Sequence, residues 1–210
     1  MSVDEAVTTL LDALPGCFAS TTDPAVAQGL LSSGATVVRH AHLMRMALPA
    51  PAVPDESEFR AFVDGKPPVP WAQVLPAFLA AYPPDHPDHL EGGGDLIDSY
   101  LIPYTAGSRL GPLLSHASAI AVRDGVAYGG ILVVDRPGEG PWVCDLWRDP
   151  DPAHAGAGLA LLHWAASRLR GFTSLGLAVT VGNDRAVRTY EKAGFAREST
   201  AWTVRLPEVR

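Results

Sequence analysis

Hydrophobic positions in the first 50 residues follow helical spacing before they change to the spacing of a strand. The helical pattern predicts helices over residues 4–14 and 24–31, and Asp23 caps the second one. Residues 35–48 have the character of a long strand. A segment rich in proline and alanine, Pro49 to Pro54, follows and has neither pattern. This segment predicts a boundary between two parts of the chain.

The longer part of the chain, after this boundary, alternates between strand and helix patterns. Predicted strands cover residues 59–63, 117–122, 127–134, 141–147, 175–181 and 195–206, and predicted helices cover 71–82, 95–101, 159–169 and 184–193. Asp124-Gly125 separates two of these strands and predicts a tight hairpin turn. Pro76 lies within one predicted helix and should kink it or occupy its first turn. The alternation indicates an α/β fold, in which helices flank a mixed sheet.

The composition is that of a folded protein with a sizeable core. Of the 210 residues, 47% are apolar and 19% are charged, which suits one domain or one domain with a partial second one. The net charge of −7, without a cluster of Lys or Arg, argues against nucleic acid as a partner. No apolar run reaches the ~18–20 residues that span a membrane. Asp4 and Glu5 near the start, with only two cysteines, Cys17 and Cys144, lead us to expect a cytoplasmic protein.

A turn that contains glycine leads directly from the strand 141–147 into the helix 159–169. Its sequence is Asp-Pro-Asp-Pro-Ala-His-Ala-Gly-Ala-Gly, ending at Gly158. Free backbone N–H groups and the positive end of a helix dipole converge at such a turn and favour a phosphate or diphosphate. Gly156 and Gly158 would let a diphosphate approach the backbone. The same pattern also occurs as an ordinary structural turn, and it fits neither the Rossmann fingerprint nor the P-loop.

A second motif follows the strand 175–181 and is more specific than the glycines. The residues Asn183, Ala186, Tyr190, Glu191, Lys192, Gly194 and Phe195 form the pattern Asn-x-x-Ala-x-x-x-Tyr-Glu-Lys-x-Gly-Phe. This pattern resembles the end of the GCN5-related N-acetyltransferase (GNAT) family. The resemblance covers the order of elements from Phe59 to Leu206 and individual motifs from Leu146 to Phe195. It implies the acyl-CoA N-acyltransferase (GNAT) fold.

The resemblance also implies a chemistry, which is transfer of an acetyl or other short acyl group from acetyl-CoA to an amine without a metal. It places the pantetheine arm on backbone groups of Leu146, Trp147 and Arg148, where two strands splay apart. It places the diphosphate on the amides of His154, Ala155, Gly156, Ala157, Gly158 and Leu159. Asn183 would fix the CoA arm or the helix start, Tyr190 would protonate the departing thiolate, and Asp145 is the candidate general base.

Each of these roles has a plainer alternative. Asn183 is placed to cap the helix that follows it, and Tyr190 could be a buried aromatic residue with a bonded hydroxyl. Asp145 could be a solvated acid on its strand, because alternation along the strand allows either face. Cys144 beside it is expected to pack as a small hydrophobic residue.

The loop departs from the family pattern at three consecutive positions. Ala153 stands where the family has Arg or Gln, His154 where it has Gly, and Ala155 where it has a basic residue. Either Arg148 or His154 supplies the missing charge, or the site binds CoA weakly and has become regulatory or inert. The chain is therefore either an acyltransferase for a small-molecule or peptide amine or a non-catalytic module that binds acyl-CoA or a partner protein.

In the family, the loop between the first two helices covers the acceptor site. This position makes His86, Asp88, Tyr100 and Tyr104 the predicted substrate residues. Asp85 to His89 could instead be imagined as a metal site, but no second pair of ligands accompanies it.

The chain also resembles itself when Gly34 is set against Gly194. In this ungapped register Asp23 lies opposite Asn183, and Arg45 lies opposite Arg205. We therefore predict that residues 1–50 are a partial, degenerate GNAT-like half-domain and that residues 58–210 are the GNAT domain. A sheet this short would need to complete itself on the second domain or in a homodimer. The alternative is a helical extension with one added strand.

Overall fold

The computed structural model of the chain describes residues 1–50 and 58–208. The helices are α1 (Val3–Ala13), α2 (Pro24–Ser32), α3 (Trp71–Ala81), α4 (Ile102–Thr105), α5 (Ala157–Arg168) and α6 (Asp184–Lys192). The strands are β1 (Phe18–Thr21), β2 (Thr36–Ala47), β3 (Phe59–Ala61), β4 (Ala119–Arg123), β5 (Val126–Arg136), β6 (Gly140–Arg148), β7 (Ser174–Thr180) and β8 (Ala196–Arg205). The strands hydrogen-bond in the order β1-β8-β2-β7-β6-β5-β4-β3 and form a mixed sheet flanked by helices. The predicted α/β fold is confirmed.

The local signals in the sequence located most of these elements. The predicted hairpin turn joins β4 to β5, and Asp124 and Gly125 both have positive φ, at 49° and 81°. Pro76 lies inside α3 rather than in its first turn. Strand β1, which has four residues, was missed between two helices, as was the short helix α4. Of the predicted boundary Pro49–Pro54, residues 51–54 lie outside the described residues.

The chain divides into two compact units. The smaller one contains Met1–Met44, Ala178–Asn183 and Arg197–Arg210. In it, β1 pairs antiparallel with β8, with Phe18 opposite Arg205. Its core contains the buried residues Val7, Ala19, Leu30, Ala35, Val204 and Leu206, which come from α1, α2 and both strands or their ends. The N-terminal helices therefore bury the same core as the last strand of the chain.

The register between Gly34 and Gly194 is matched by local structure. Helices α2 and α6 each have nine residues, and each is followed by a glycine with positive φ, 94° at Gly34 and 99° at Gly194. The same capping bonds close both helices, since Ala35 N–H donates to Leu30 O and Phe195 N–H donates to Tyr190 O. The two segments share a helix-glycine-strand conformation, and their descent from one duplicated domain stays a prediction.

The larger unit, Arg45–Leu177 with Asp184–Ala196, contains every predicted site residue except Asn183. Strands β3 to β6 are antiparallel, and β7 joins β6 in parallel at Trp142–Gly176 and Val143–Leu177. Its core contains the buried residues Phe62, Val74, Phe78, Leu96, Leu101, Ile120, Val122, Ala127, Leu132 and Trp147. Helix α5 packs on β4, β5 and β6, and α3 packs on β5 and β6. Both helices therefore meet the strand that carries Asp145.

Candidate active site

A β-bulge in β6 determines where Asp145 lies. Asp145 is opposite Leu132 on β5, whereas the next pair along is Val143 with Val133, so that Cys144 has no opposite residue. The bulge interrupts the alternation of faces that a regular strand would have. Asp145 is 6% exposed, and its Oδ1 accepts a hydrogen bond of 2.5 Å from the hydroxyl of Tyr82. The alternative of a solvated strand acid is therefore wrong.

Tyr82 follows the last residue of α3 and was not among the predicted site residues. Its hydroxyl lies 3.2 Å from the carbonyl oxygen of Leu146 as well as contacting Asp145. Its ring meets Phe78 edge-on, with 5.1 Å between centroids. Burial and the neighbouring Asp145 raise the pKa of Tyr82, so its hydroxyl stays a donor at neutral pH. The only signal in the sequence is its position at the start of the predicted substrate loop.

The carboxyl group of Asp145 is less acidic than usual. Burial raises its pKa to about 6, and the hydroxyls of Tyr82 and Tyr100 partly oppose that increase. Oδ2 is buried and makes no hydrogen bond of good geometry within residues 1–50 and 58–208. The Tyr100 hydroxyl is nevertheless close enough to lower the pKa of Asp145. A carboxylate with a pKa near neutrality is suited to accept a proton.

The four predicted substrate residues gather around this carboxyl group. His86 meets the ring of Tyr82 edge-on at 5.1 Å, and the charge of Asp88 is close enough to raise the pKa of Asp145. Tyr100 and Tyr104 are in contact with each other at 4.9 Å between ring centroids, and burial raises the pKa of both hydroxyls. The four residues therefore lie close to Asp145 or to its hydrogen-bond partner Tyr82, and their role in substrate binding stays a prediction.

Arg109 is a further charged group at this cluster that the sequence did not indicate. Its guanidinium lies over the rings of Tyr100 and Tyr104, 5.4 Å and 5.5 Å from their centroids. Cys144 lies deeper, where burial raises the pKa of its thiol and its Sγ is 3.4 Å from Leu132 O. The thiol is therefore protonated at neutral pH, and Cys144 is positioned as a packing residue.

The loop after β6 leaves four backbone N–H groups open at the start of α5. A 3₁₀ turn over Pro152–His154 already uses the amides of His154 and Ala155, which donate to Asp151 O and Pro152 O. The amides of residues 156–159 have no acceptor within the described part of the chain. These four belong to the first turn of a twelve-residue helix, where such groups are normally unsatisfied. The predicted set of six amides is therefore reduced to four.

Gly156 and Gly158 support this turn in different ways. Gly156 is the capping residue of α5 and has φ of 88°, a conformation that residues with a Cβ rarely adopt. A Cβ on Gly158 would meet only Leu146 Cδ2, at 3.9 Å, which is ordinary contact distance. The absence of a side chain at Gly158 therefore leaves unfilled space within the turn that carries the free amides.

Two arginines lie at the loop. The Nη1 atom of Arg148 donates to Asp149 O at 2.6 Å and lies 3.3 Å from Asp151 O. Burial and then the neighbouring charge of Arg185 lower the pKa of Arg148. Arg185 is on the first turn of α6 and was not singled out from the sequence. Positive charge is thus present at the loop although Ala153 and Ala155 carry none.

The remaining predicted residues lie on or beside α6 and β6. Tyr190 is half-buried on α6, packs edge-on against Phe195 at 6.0 Å, and is close enough to Tyr82 to raise its pKa. Asn183 directly precedes α6, and its N–H donates to Thr180 O at 3.0 Å. Trp147 is buried in the core, where its ring occupies the space that a Cβ on Gly130 would need.

Other features of the chain are separate from this cluster. An open groove of about 760 Å³ contains none of the predicted site residues. It is lined by Ala61, Phe62, Val63, Asp64, Ser115, His116, Ser167, Arg168 and Arg170. Residues 1–50 and 58–208 contain no group of three His, Cys, Asp or Glu side chains placed to hold a metal. In the same ranges no helix has both the length and the apolar character needed to cross a membrane.

Known proteins identify the family. Residues 74–195, more than half of the chain, match the acetyltransferase (GNAT) family. The chain therefore belongs to the GNAT acetyltransferase family, and the resemblance of its motifs is confirmed. No curated protein matches the chain significantly.

Solved structures of GNAT proteins share the fold. A GCN5-related N-acetyltransferase from Sphaerobacter thermophilus is 19% identical with a TM-score of 0.61, covering 98% of this chain and 65% of that one. One from Kribbella flavida is 19% identical with a TM-score of 0.57, covering 99% and 76%. A GNAT-family acetyltransferase from Colwellia psychrerythraea is 13% identical with a TM-score of 0.57, covering 97% and 72%. The chain thus spans about two thirds of the length of the Sphaerobacter protein.

Proposed function

We propose that the chain is an N-acyltransferase that moves an acetyl or other short acyl group from acyl-CoA to an amine by direct attack. The observation that carries this proposal is the buried carboxyl group of Asp145, whose pKa is raised to about 6. It lies on β6, and the turn after that strand presents the four open amides of residues 156–159. A proton acceptor and an anion site on one strand and its following turn suit a reaction between an amine and a CoA thioester.

In this proposal Asp145 accepts a proton from the ammonium form of the substrate. The nitrogen lone pair then attacks the thioester carbonyl carbon, and the new C–N bond forms as the C–S bond breaks. Tyr190 donates its phenolic proton to the departing sulfur and regains a proton from solvent, while the amide product releases its second N–H proton to solvent. A phenol, with an ordinary pKa of about 10, can protonate a thiolate of pKa about 8.5 when the two are held in contact.

The chain's own residues supply the binding of the donor. The amides of residues 156–159 and the helix dipole of α5 would hold the diphosphate, and Arg148 and Arg185 would add positive charge. Backbone groups of Leu146, Trp147 and Arg148 would hold the pantetheine arm, and Asn183 would fix that arm or the start of α6. His86, Asp88, Tyr100 and Tyr104 would line the approach of the amine.

One observation favours a second function, an acyl-CoA-binding module without turnover. Ala153 and Ala155 remove two side chains that would otherwise face a diphosphate. Thermal unfolding with added acetyl-CoA tests binding for both functions, because a ligand at 100 times its Kd adds about 2.7 kcal/mol to the free energy of unfolding. No shift at millimolar acetyl-CoA would contradict both.

A screen of small and peptide amines that detects released CoA separates the two functions. If turnover is found, Tyr190→Phe is expected to lower kcat while leaving the Kd for acetyl-CoA unchanged, because the ring stays and only the proton donor is lost. Unchanged kcat would remove Tyr190 from the acid role. Binding without turnover on any amine would support the module instead.

A further inference from the structure

His154 is held against the sheet by its ring. The imidazole stacks on Tyr128 of β5 with 4.3 Å between centroids and 12° between ring planes. Its backbone N–H donates to Asp151 O, so the residue closes the 3₁₀ turn that precedes the open amides. The side chain and the backbone of one residue therefore connect the loop to the strand.

Tyr128 is itself fixed from three directions. Its hydroxyl donates to Glu58 Oε2 at 2.7 Å, and the guanidinium of Arg123 lies over its ring at 5.2 Å from the centroid. Arg123 in turn forms two hydrogen bonds with Glu58, of 2.7 and 3.1 Å. The backbone of Tyr128 also holds the start of the loop, since its carbonyl oxygen accepts from Asp149 N–H at 2.7 Å. The ring on which His154 stacks is therefore a rigid platform.

The stack, rather than general packing, holds the imidazole. A cavity of about 300 Å³ lies beside the ring and is lined by Glu58, Phe59, Arg123, Tyr128, residues 153–157 and Ala160. Nδ1 of His154 is buried and has no hydrogen-bond partner within residues 1–50 and 58–208. Because Nδ1 is buried without a partner among the described residues, the planar contact with the Tyr128 ring is the one interaction seen for this face of the imidazole, and the test below distinguishes it from a contact between a ring nitrogen and phosphate.

We propose that His154 is a positioning residue, whose stack on Tyr128 preorganises the loop so that the amides of residues 156–159 converge on the diphosphate of acyl-CoA. The identity of the ligand in this inference rests on the proposed function, whereas the anchoring of the loop by His154 does not depend on that function. A fixed loop loses less conformational entropy when a ligand binds, so preorganisation raises affinity without adding a contact. It would compensate for the basic side chains that Ala153 and Ala155 do not provide.

The test compares His154→Ala, which removes the ring, with His154→Phe, which keeps an aromatic ring without a titrating nitrogen. His154→Ala is expected to raise the Kd and the KM for acetyl-CoA about three- to tenfold, as for loss of one aromatic pair, with kcat unchanged. His154→Phe is expected to recover most of that loss. Tyr128→Leu should match His154→Ala, and the double variant should be no worse than the weaker-binding single one, since both remove the same contact.

Two results would overturn the proposal. Unchanged affinity in His154→Ala would show that the stack does not position the loop. Failure of His154→Phe to recover affinity would show that a ring nitrogen of His154 binds the ligand directly, in place of the stack.

Hydrogen exchange of the ligand-free protein tests the anchoring of the loop by His154 independently of the proposed function. The amides of Ala153, His154 and Ala155 are hydrogen-bonded within the loop. They should exchange about three- to tenfold faster in His154→Ala and at the wild-type rate in His154→Phe. If no variant binds acetyl-CoA, the proposed function fails while this measurement still decides whether the stack anchors the loop. Equal exchange in His154→Ala and wild type would contradict the anchoring.

Discussion

Burial of the Asp145 carboxyl group makes its ionised form costly to stability, and in the proposed function the same burial sets the pH dependence of the rate. Its pKa of about 6, against an ordinary value of 3.8, means that the folded state binds this proton more tightly than the unfolded state. The resulting stability is fully present below pH 3.8 and is lost as pH rises through about 6, a difference of about 3 kcal/mol. Acyl transfer needs the ionised form, so kcat/KM should rise over the pH range in which stability falls.

We therefore expect Asp145→Asn to lower kcat/KM by a factor of 100 or more and to raise the free energy of unfolding at pH 7.5 by up to about 3 kcal/mol. The stability gain should shrink as the pH approaches 4, where Asp145 is protonated in both states. Denaturant unfolding at several pH values and steady-state rates check the two effects. The exposed Asp98 provides the control, and Asp98→Asn should change neither. An inactive variant without the pH-dependent gain would contradict the burial argument.

Tyr82 sets the position of the acidic limb of the pH profile. Its hydrogen bond stabilises the ionised form of Asp145 and so lowers the pKa that burial raises. Tyr82→Phe removes the donor, and the pH at which kcat/KM is half-maximal should move upward. Tyr104→Phe is the matched control, because Tyr104 makes no hydrogen bond to Asp145 within the described residues. An acidic limb at the same pH in Tyr82→Phe and wild type would remove Asp145 as the titrating base.

For single residues, the sequence identified Asp145 as a candidate base but could not show which face of the strand its side chain occupies. The bulge at Cys144 arises from the pairing of β6 with β5, and alternation within β6 alone contains no record of it. Tyr82 and Arg185 were missed for a related reason. Each is adjacent to a recognised element, and only the tertiary fold shows which side chain it approaches.

The loop-helix element can be tested through its two glycines, whose conformations differ. Gly156→Ala places a Cβ at φ of 88° and should destabilise the protein by about 1 kcal/mol as well as weaken acetyl-CoA binding. Gly158→Ala meets ordinary contacts within a helix and should leave stability unchanged or slightly raised. If the diphosphate lies against the backbone of this turn, as proposed, the added Cβ should still raise the Kd for acetyl-CoA.

Thermal unfolding and calorimetric titration of these two variants check the expectation. Gly94→Ala in an exposed turn is the control, since a Cβ there meets open space and φ is not positive. If Gly158→Ala binds acetyl-CoA as tightly as wild type, the diphosphate does not lie on these amides.

Elements with a long hydrophobic repeat were predictable to within a few residues, and the three-residue strand β3 was also predicted, but the short elements β1 and α4 were not. Strand β1 has only four residues and gains its conformation from antiparallel pairing with β8 at the opposite end of the sequence. The 3₁₀ turn at Pro152–His154 was also invisible, and it is what reduces the predicted amides from six to four. Both are set by hydrogen bonds that a local pattern does not encode.

At the scale of the whole molecule, the N-terminal residues fold with the end of the chain. Within the smaller unit, Leu30 is fully buried in the same core as Val204 and Leu206, and β1 supplies a hydrogen-bonding partner for β8. The predicted division into residues 1–50 and 58–210 separates these partners. Its repeat of helix, glycine and strand is matched locally, but neither segment of the repeat buries its apolar side chains alone.

We expect deletion of residues 1–44 to destabilise the protein, because it exposes Val204 and Leu206 and removes β1 and most of β2, the two strands that neighbour β8 in the sheet. The deleted chain should aggregate or unfold at lower denaturant concentration than the full chain.

Leu30→Ala tests the same core with a single substitution and should lower the free energy of unfolding by about 2–5 kcal/mol. Leu14→Ala, at a side chain 39% exposed, should change it by less than about 0.5 kcal/mol. A deleted chain as stable and as soluble as the full one would contradict the expectation for the deletion. It would show that residues 1–44 are a dispensable extension and not a half-domain that folds with the rest of the chain.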